Sequence, residues 1–206
     1  KALISDLGGV LLRTRTDGSR RALEQRLGLA PHTLEARVFD SEASLQAQRG
    51  EVSEEMMWRA LERELDLPRL GLTAREFQDK FFEEDFVDEE LVNLIRSVRP
   101  GVKTGLISNA WDGLREILHT RVPVIDAFDV IVISAEEKIA KPDPRLYLLT
   151  LERLGVQADE AIFLDDVSEN VFAAQTLGLI GIHFHSSEQA QRDVRALLNG
   201  SGPVVR

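Results

Sequence analysis

From Lys103 onward, short apolar runs alternate with amphipathic helical stretches. Few folds accommodate that rhythm. The runs span residues 103–107, 129–133, 161–164 and 180–184, and a fifth, Ala2–Ser5, stands alone at the start. They are too short for core helices and rich in Ile, Val and Leu, so they read as strands buried on both faces. Strands separated by helices read as βαβ units, with a parallel sheet and right-handed crossovers. The expected fold class is α/β, a Rossmann-like three-layer core of five parallel strands built on these five runs.

The first two runs are separated by a long stretch without strand signal. Its periodicity predicts helices at 19–28, 31–39, 41–49, 53–66 and 73–83, followed by one at 88–98. Glu54 and Glu55 after Ser53 suit a helix N-terminus. Pro68, Gly71 and Thr73 separate the next pair. Residues 17–85 are therefore read as an inserted all-helical unit, and 1–16 with 86–206 as the core. Trp58 shares helical spacing with Leu61 and Leu65 and is expected in the insert's own core. The acidic and aromatic stretch 81–90 reads as a hinge with a solvated face, a metal site being the alternative.

Composition narrows the function. The formal net charge of −10 over 206 residues argues against broad nucleic-acid binding and against anionic membrane surfaces. Cysteine is absent, which excludes disulfides and thiolate sites and fits a cytoplasmic protein. No run approaches the ~18 apolar residues of a membrane span. Asp6 interrupts the apolar stretch 2–12, and no cleavage pattern follows, so no signal peptide is expected.

Four constellations fall at predicted strand ends, where open α/β sheets place their sites. Asp6-Leu7-Gly8-Gly9 offers a carboxylate able to attack phosphorus, and glycines that let backbone approach a phosphate or metal. Its bland reading is an Asx turn. Ser108-Asn109 offers a hydroxyl and an amide for phosphoryl oxygens, just before a helix expected at 111–119; the bland reading is an N-cap. Lys141-Pro142-Asp143-Pro144 offers an ammonium on a stiffened backbone, with Asp143 capping a helix that Pro144 opens. Otherwise Lys141 is a surface lysine, like neighbouring Lys138. Asp165-Asp166 follows a buried strand, where two acids are costly without a cation such as Mg²⁺. Capping by Asp166 or Ser168 would explain one acid only.

The stretches SDLGGVLL, LISNAW, KPDPRLY and FLDDVSENV together resemble the haloacid dehalogenase superfamily of hydrolases, in the subfamily with a helical cap inserted after the first motif. The resemblance spans essentially the whole chain. It implies Asp6 as nucleophile, Ser108 and Asn109 as phosphoryl-binding residues, and Lys141 as partner of Asp6 and phosphate. It implies Mg²⁺ held by Asp6, the Gly8 carbonyl and Asp166, with Asp165 direct or through water. Residues 17–85 would be the cap that closes over a small phosphorylated metabolite.

Two positions depart from the family pattern. Gly8 stands where most family phosphatases carry a second Asp, the general acid–base. Three readings follow: a phosphatase restricted in leaving group, a 2-haloacid dehalogenase, or a weakened binding or regulatory protein. Asp165-Asp166 favours phosphate chemistry, since dehalogenation gives no reason for a metal-binding acid pair. Ser5 stands where Phe is usual. His183 and His185 alternate near a strand end and read as surface or packing residues rather than a metal pair, as do His32 and His119. Arg13 and Arg15 lead from the first strand toward the hinge, within reach of an anionic substrate. The sequence leaves oligomeric state open.

Overall fold

The computed structural model describes residues 1–200. β1 (Ala2–Ser5) is fully buried and central. After a turn come β2 (Leu12–Thr14) and five helices: α1 (Gly18–Leu27), α2 (Leu34–Phe39), α3 (Glu42–Gln48), α4 (Glu54–Glu64) and α5 (Ala74–Phe81). β3 (Asp85–Val87) then returns the chain to the core. The remainder alternates: α6 (Glu89–Val98), β4 (Lys103–Ser108), α7 (Leu114–Thr120), β5 (Val130–Ile133), α8 (Ser134–Glu137), α9 (Pro144–Leu154), β6 (Ala161–Asp165), α10 (Ser168–Thr176), β7 (Ile180–His183) and α11 (Ser187–Leu198).

The parallel sheet has the order β5-β4-β1-β6-β7. From β1 the chain fills one side of the sheet with β4 and β5 and then crosses back to β6 and β7 on the other, so the switch point, where such sheets open a crevice beyond their carboxyl ends, lies between β1 and β6. One face of the sheet packs Leu3, Leu106 and Leu164 against Val92 and Ile95 of α6 and Val194 of α11. The other packs Ile4, Ile107 and Phe163 against Leu146 and Leu151 of α9 and Ala174 of α10. Both faces are covered, which is why the strands read as unbroken apolar runs.

The inserted helices build a separate core from Leu23, Leu34, Trp58, Leu61, Phe77 and Phe81. Local signals start them. Ser53 accepts from the Met56 amide, and Thr73 with Glu76 forms a capping box. Trp58 and Leu61 are buried in that core, as their spacing predicts.

The ribbon joining insert to core was not expected. β2 and β3 pair antiparallel, with Leu12 opposite Val87 and Thr14 opposite Asp85. Side chains of the acidic stretch hold the returning chain. Asp85 accepts from Thr14 at 2.7 Å and from Arg20 at 2.9 Å, and Glu83 accepts from Ser19 at 2.8 Å. Asp88 caps α6 through the Leu91 amide and pairs with Arg13. The stretch thus joins the insert to the core. The metal alternative finds no support there, since the cluster of acids among the described residues that could hold an ion lies elsewhere.

Candidate active site

Ser5 pairs with Leu164 across β1 and β6, so Asp6 emerges beside Asp165 at the carboxyl edge of the sheet. The Asp6 amide donates to the Leu164 carbonyl at 2.8 Å. The Ser5 hydroxyl, buried, donates to the Asp6 carbonyl at 2.7 Å, so this residue ties down the backbone at Asp6. On the carboxylate, Oδ1 accepts from the Leu7 amide at 2.7 Å and from Lys141 Nζ at 2.9 Å. Oδ2 takes no hydrogen bond from the described residues.

Lys141 is no surface lysine: it is 5% exposed. Its ammonium bridges Asp6 and Asp165, with the latter at 2.6 Å. Burial opposes its charge, but the two carboxylates outweigh that and raise its pKa. Its backbone is clamped by Asn109, whose Oδ1 accepts from the Lys141 amide at 2.8 Å and whose Nδ2 donates to the Lys141 carbonyl at 2.9 Å. Asp143 caps α9 through the Arg145 amide and Pro144 opens it, as expected. Lys138 sits at a left-handed turn after α8.

The acid pair divides its work. Asp165 is fully buried and its oxygens are engaged. They accept from Lys141, from the Val167 amide at 2.8 Å and from Asn170 Nδ2 at 3.1 Å on both oxygens. The Asn170 carbonyl in turn accepts from the buried Tyr147 hydroxyl at 3.1 Å. Asp166 is exposed, and its backbone carbonyl accepts from His183 Nε2 at 2.9 Å. Neither Asp166 nor Ser168 caps α10 with its side chain.

Asp6, Asp165 and Asp166 each offer an oxygen within 4.8 Å of the others. One lysine against three acids leaves the cluster anionic. Burial first, and then Asp165, push the Asp6 carboxyl up to about 7, with Lys141 opposing. Partial loss of hydration beside the cluster, and then the charge of Asp165, also raise Asp166. Such perturbed acids mark a place where a cation is wanted.

The two glycines differ in their reasons. Gly9 has φ 73°, and a β-carbon there would lie 2.1 Å from Asp166 Oδ2, so a side chain here would be strained and would displace the Asp166 carboxylate. Gly8 has no left-handed backbone, and a β-carbon there would meet nothing within 4 Å. The missing acid is thus a matter of chemistry, not of space.

A family profile described as haloacid dehalogenase-like hydrolase matches residues 1–178. The chain belongs to the haloacid dehalogenase-like hydrolases. It is therefore a hydrolase, and its five-stranded core with helical insert is the family's architecture. It is 29% identical over 203 residues to a sesquiterpene phosphatase of Aspergillus oryzae, covering 96% of each chain. Several other curated relatives, among them the bifunctional epoxide hydrolase 2 of Sus scrofa, are matched over less than half of their own length. A HAD-family enzyme of Bacteroides thetaiotaomicron, crystallised with magnesium and inorganic phosphate, superposes with a TM-score of 0.73 at 21% identity, over 91% of this chain and 95% of that one. The L-2-haloacid dehalogenase of Xanthobacter autotrophicus, with chloropropionic acid covalently bound, gives 0.61 at 20% identity, over 99% and 85%.

In this hydrolase the residues singled out by sequence fall into two groups. Asp6, Lys141, Asp165 and Asp166 form one contact network, and Asn109 joins it through the Lys141 backbone. Ser108 ends β4 with its side chain buried. The helix expected from residue 111 begins at Leu114 with Gly113 before it, so neither Ser108 nor Asn109 is an N-cap. Arg13 is turned to Asp88 and lies over Phe86 and Phe184, and Arg15 lies over Phe86. His183 and His185 do face one side, with ring centroids 4.3 Å apart. Asn170 went unassigned in the sequence, where its only signal was its place five residues after Asp165 on the first turns of a helix.

Proposed function

We propose that this hydrolase is a Mg²⁺-dependent phosphomonoesterase acting on a small phosphorylated metabolite through an aspartyl-phosphate on Asp6. One observation carries the reading: the Asp6 carboxylate is held on one oxygen by Lys141 and Leu7 while the other is left free, beside the acid pair. The free oxygen would attack phosphorus. The phosphorus–ester bond breaks, and the leaving oxygen takes its proton from water or from a neighbouring substrate hydroxyl. Water then attacks phosphorus, the bond to Asp6 breaks, and phosphate departs.

The three candidate ligands all offer carboxylate oxygens, which suits Mg²⁺. Asp6, Asp166 and the Gly8 carbonyl would hold the ion, with Asp165 acting through water because its own oxygens are engaged. Bound there, Mg²⁺ would supply positive charge to phosphoryl oxygens. Lys141 would neutralise charge on Asp6 and on the phosphoryl group. Ser108 would donate to a phosphoryl oxygen, and Asn109 would act chiefly by holding Lys141. Residues 17–85 would form the cap that excludes water, with 1–16 and 86–206 as core. The full-length resemblance to a sesquiterpene phosphatase supports phosphate chemistry, as does the magnesium–phosphate complex of the Bacteroides enzyme.

Asp166 separates this reading from dehalogenation. Dehalogenation requires no metal ion, so it gives no reason for a metal-holding acid pair beside the nucleophile. A screen of small phosphates and 2-haloacids, each with Mg²⁺ and with EDTA, tests the point. Phosphate release that requires Mg²⁺ is expected. Halide release undiminished in EDTA would establish the dehalogenase instead.

A further inference from the structure

The loop after β4 passes from the site to the insert in five residues. Asn109 grips the Lys141 backbone. Ala110 is pinned to the core, because the buried Ser134 hydroxyl accepts from its amide at 2.9 Å and donates to its carbonyl at 3.2 Å. Trp111 then leaves the core altogether. Its indole stacks on Phe39 of α2 at 5.9 Å, meets Trp58 of α4 edge-on at 5.2 Å, and donates Nε1–H to Ser44 of α3 at 3.1 Å. Among the described residues it is the sole member of the insert's hydrophobic cluster that comes from outside residues 23–82. Asp112 accepts from the Glu54 amide at the start of α4 at 2.9 Å. A β-carbon on Gly113 would lie 2.2 Å from Glu54 Oε2, so chain and helix meet closely there.

This attachment is separate from the β2–β3 ribbon. Since Ala110 is held at both its amide and its carbonyl, the loop stays with the core when the insert moves. The contacts that would part are those of the indole with Phe39, Trp58 and Ser44, together with the bond from the Glu54 amide to Asp112. We propose that Trp111 is a positioning residue, the latch through which closure of the insert is joined to Asn109 and Lys141. It touches no reacting atom. Its indole instead sets the fraction of molecules closed over the site, and a ligand that binds the closed state has its apparent affinity reduced by that fraction.

The inference uses the phosphatase reading only for its choice of ligands. Kinetics on wild type, Trp111→Phe and Trp111→Ala, with one phosphomonoester and with thermal melts as folding control, test it. If the closed fraction falls tenfold, Trp111→Ala raises KM about tenfold and leaves kcat within about twofold. Mg²⁺ affinity stays unchanged. Trp111→Phe keeps the stacking and loses only the bond to Ser44, so it recovers most of the KM. The chain has 2 tryptophans, so Trp58→Phe leaves Trp111 as the sole tryptophan, read by excitation at the red edge where tyrosine does not absorb. Its emission should move to shorter wavelength when orthovanadate and Mg²⁺ close the insert. An unchanged KM in a folded Trp111→Ala protein, or a kcat loss with KM unmoved, overturns the latch. In a protein that hydrolyses phosphate, emission that does not respond to orthovanadate overturns it too. Wild type that hydrolyses no phosphate counts against the phosphatase instead, and the emission measurement repeated with a 2-haloacid then decides the latch.

Discussion

The side chain of Asn109 and the backbone of Lys141 exchange two hydrogen bonds, at 2.8 and 2.9 Å. The amide therefore fixes where the lysine starts, and Asp6 and Asp165 fix where its ammonium ends. Asn109→Ala frees the backbone and lets the ammonium drift. A misplacement of about 1 Å at a reacting centre costs on the order of 10²-fold, so kcat should fall by about that factor. Loss of two partly buried hydrogen bonds, about 1 kcal/mol each, should lower Tm by several degrees. Steady-state kinetics and melts read both, and full activity in Asn109→Ala would remove this role.

Asp6→Asn should abolish turnover and stabilise the metal-free fold at neutral pH. The acid's pKa rises from 3.8 to about 7 on folding. Between those values the folded protein keeps a proton that the unfolded chain has released, so stability falls as pH rises through that window. The isosteric amide has no such dependence. Melts in EDTA should show the wild type losing stability relative to Asp6→Asn from about pH 4 to about pH 7. Parallel curves would mean that Lys141 keeps Asp6 ionised throughout.

Metal binding should carry the opposite dependence. Carboxylates must be ionised to hold Mg²⁺, and both Asp6 and Asp166 are raised. Below about pH 7 calorimetry should show Mg²⁺ affinity falling up to about tenfold per pH unit, with protons released on binding. Asp166→Asn should lose binding with little loss of stability, because that carboxyl is exposed and raised. Binding that survives in Asp166→Asn would place the ion elsewhere.

Gly8 offers a cleaner experiment than its sequence suggested. With open space for a β-carbon and no left-handed backbone, Gly8→Asp should fold. If the missing acid limits catalysis, acyl and aryl phosphates should be cleaved far faster by the wild type than alkyl phosphates. Gly8→Asp should then narrow the gap, a positioned acid contributing about 10²–10⁴-fold. A leaving-group series on both proteins decides. A flat wild-type series at measurable rates would mean that another group supplies the proton.

Much of this was legible because burial writes itself into sequence. The β1 run and its neighbours are apolar throughout since helices cover both faces, and an acid ending such a run stands out. The insert's helices carry their caps in Ser53 and Thr73. The β2–β3 ribbon was hidden because three half-buried residues show no period, and their partners lie far along the chain. Trp111 was hidden for another reason. It belongs by sequence to a core loop and by packing to the insert, and no periodicity reports across that boundary. Asn109 was noticed as a phosphate ligand, but its grip on Lys141 depends on a contact 32 residues away. Asn170 and Ser5 act through side-chain hydrogen bonds that composition does not announce.

The central claim is that Asp6 becomes covalently phosphorylated. Its most direct test is to quench the wild-type protein in acid during turnover of a phosphomonoester with Mg²⁺, digest it, and locate the phosphoryl group by mass spectrometry. One phosphoryl group on the N-terminal peptide at Asp6, absent from Asp6→Asn, is the predicted result. A phosphoryl group on any other residue, or turnover that persists in Asp6→Asn, would contradict the account.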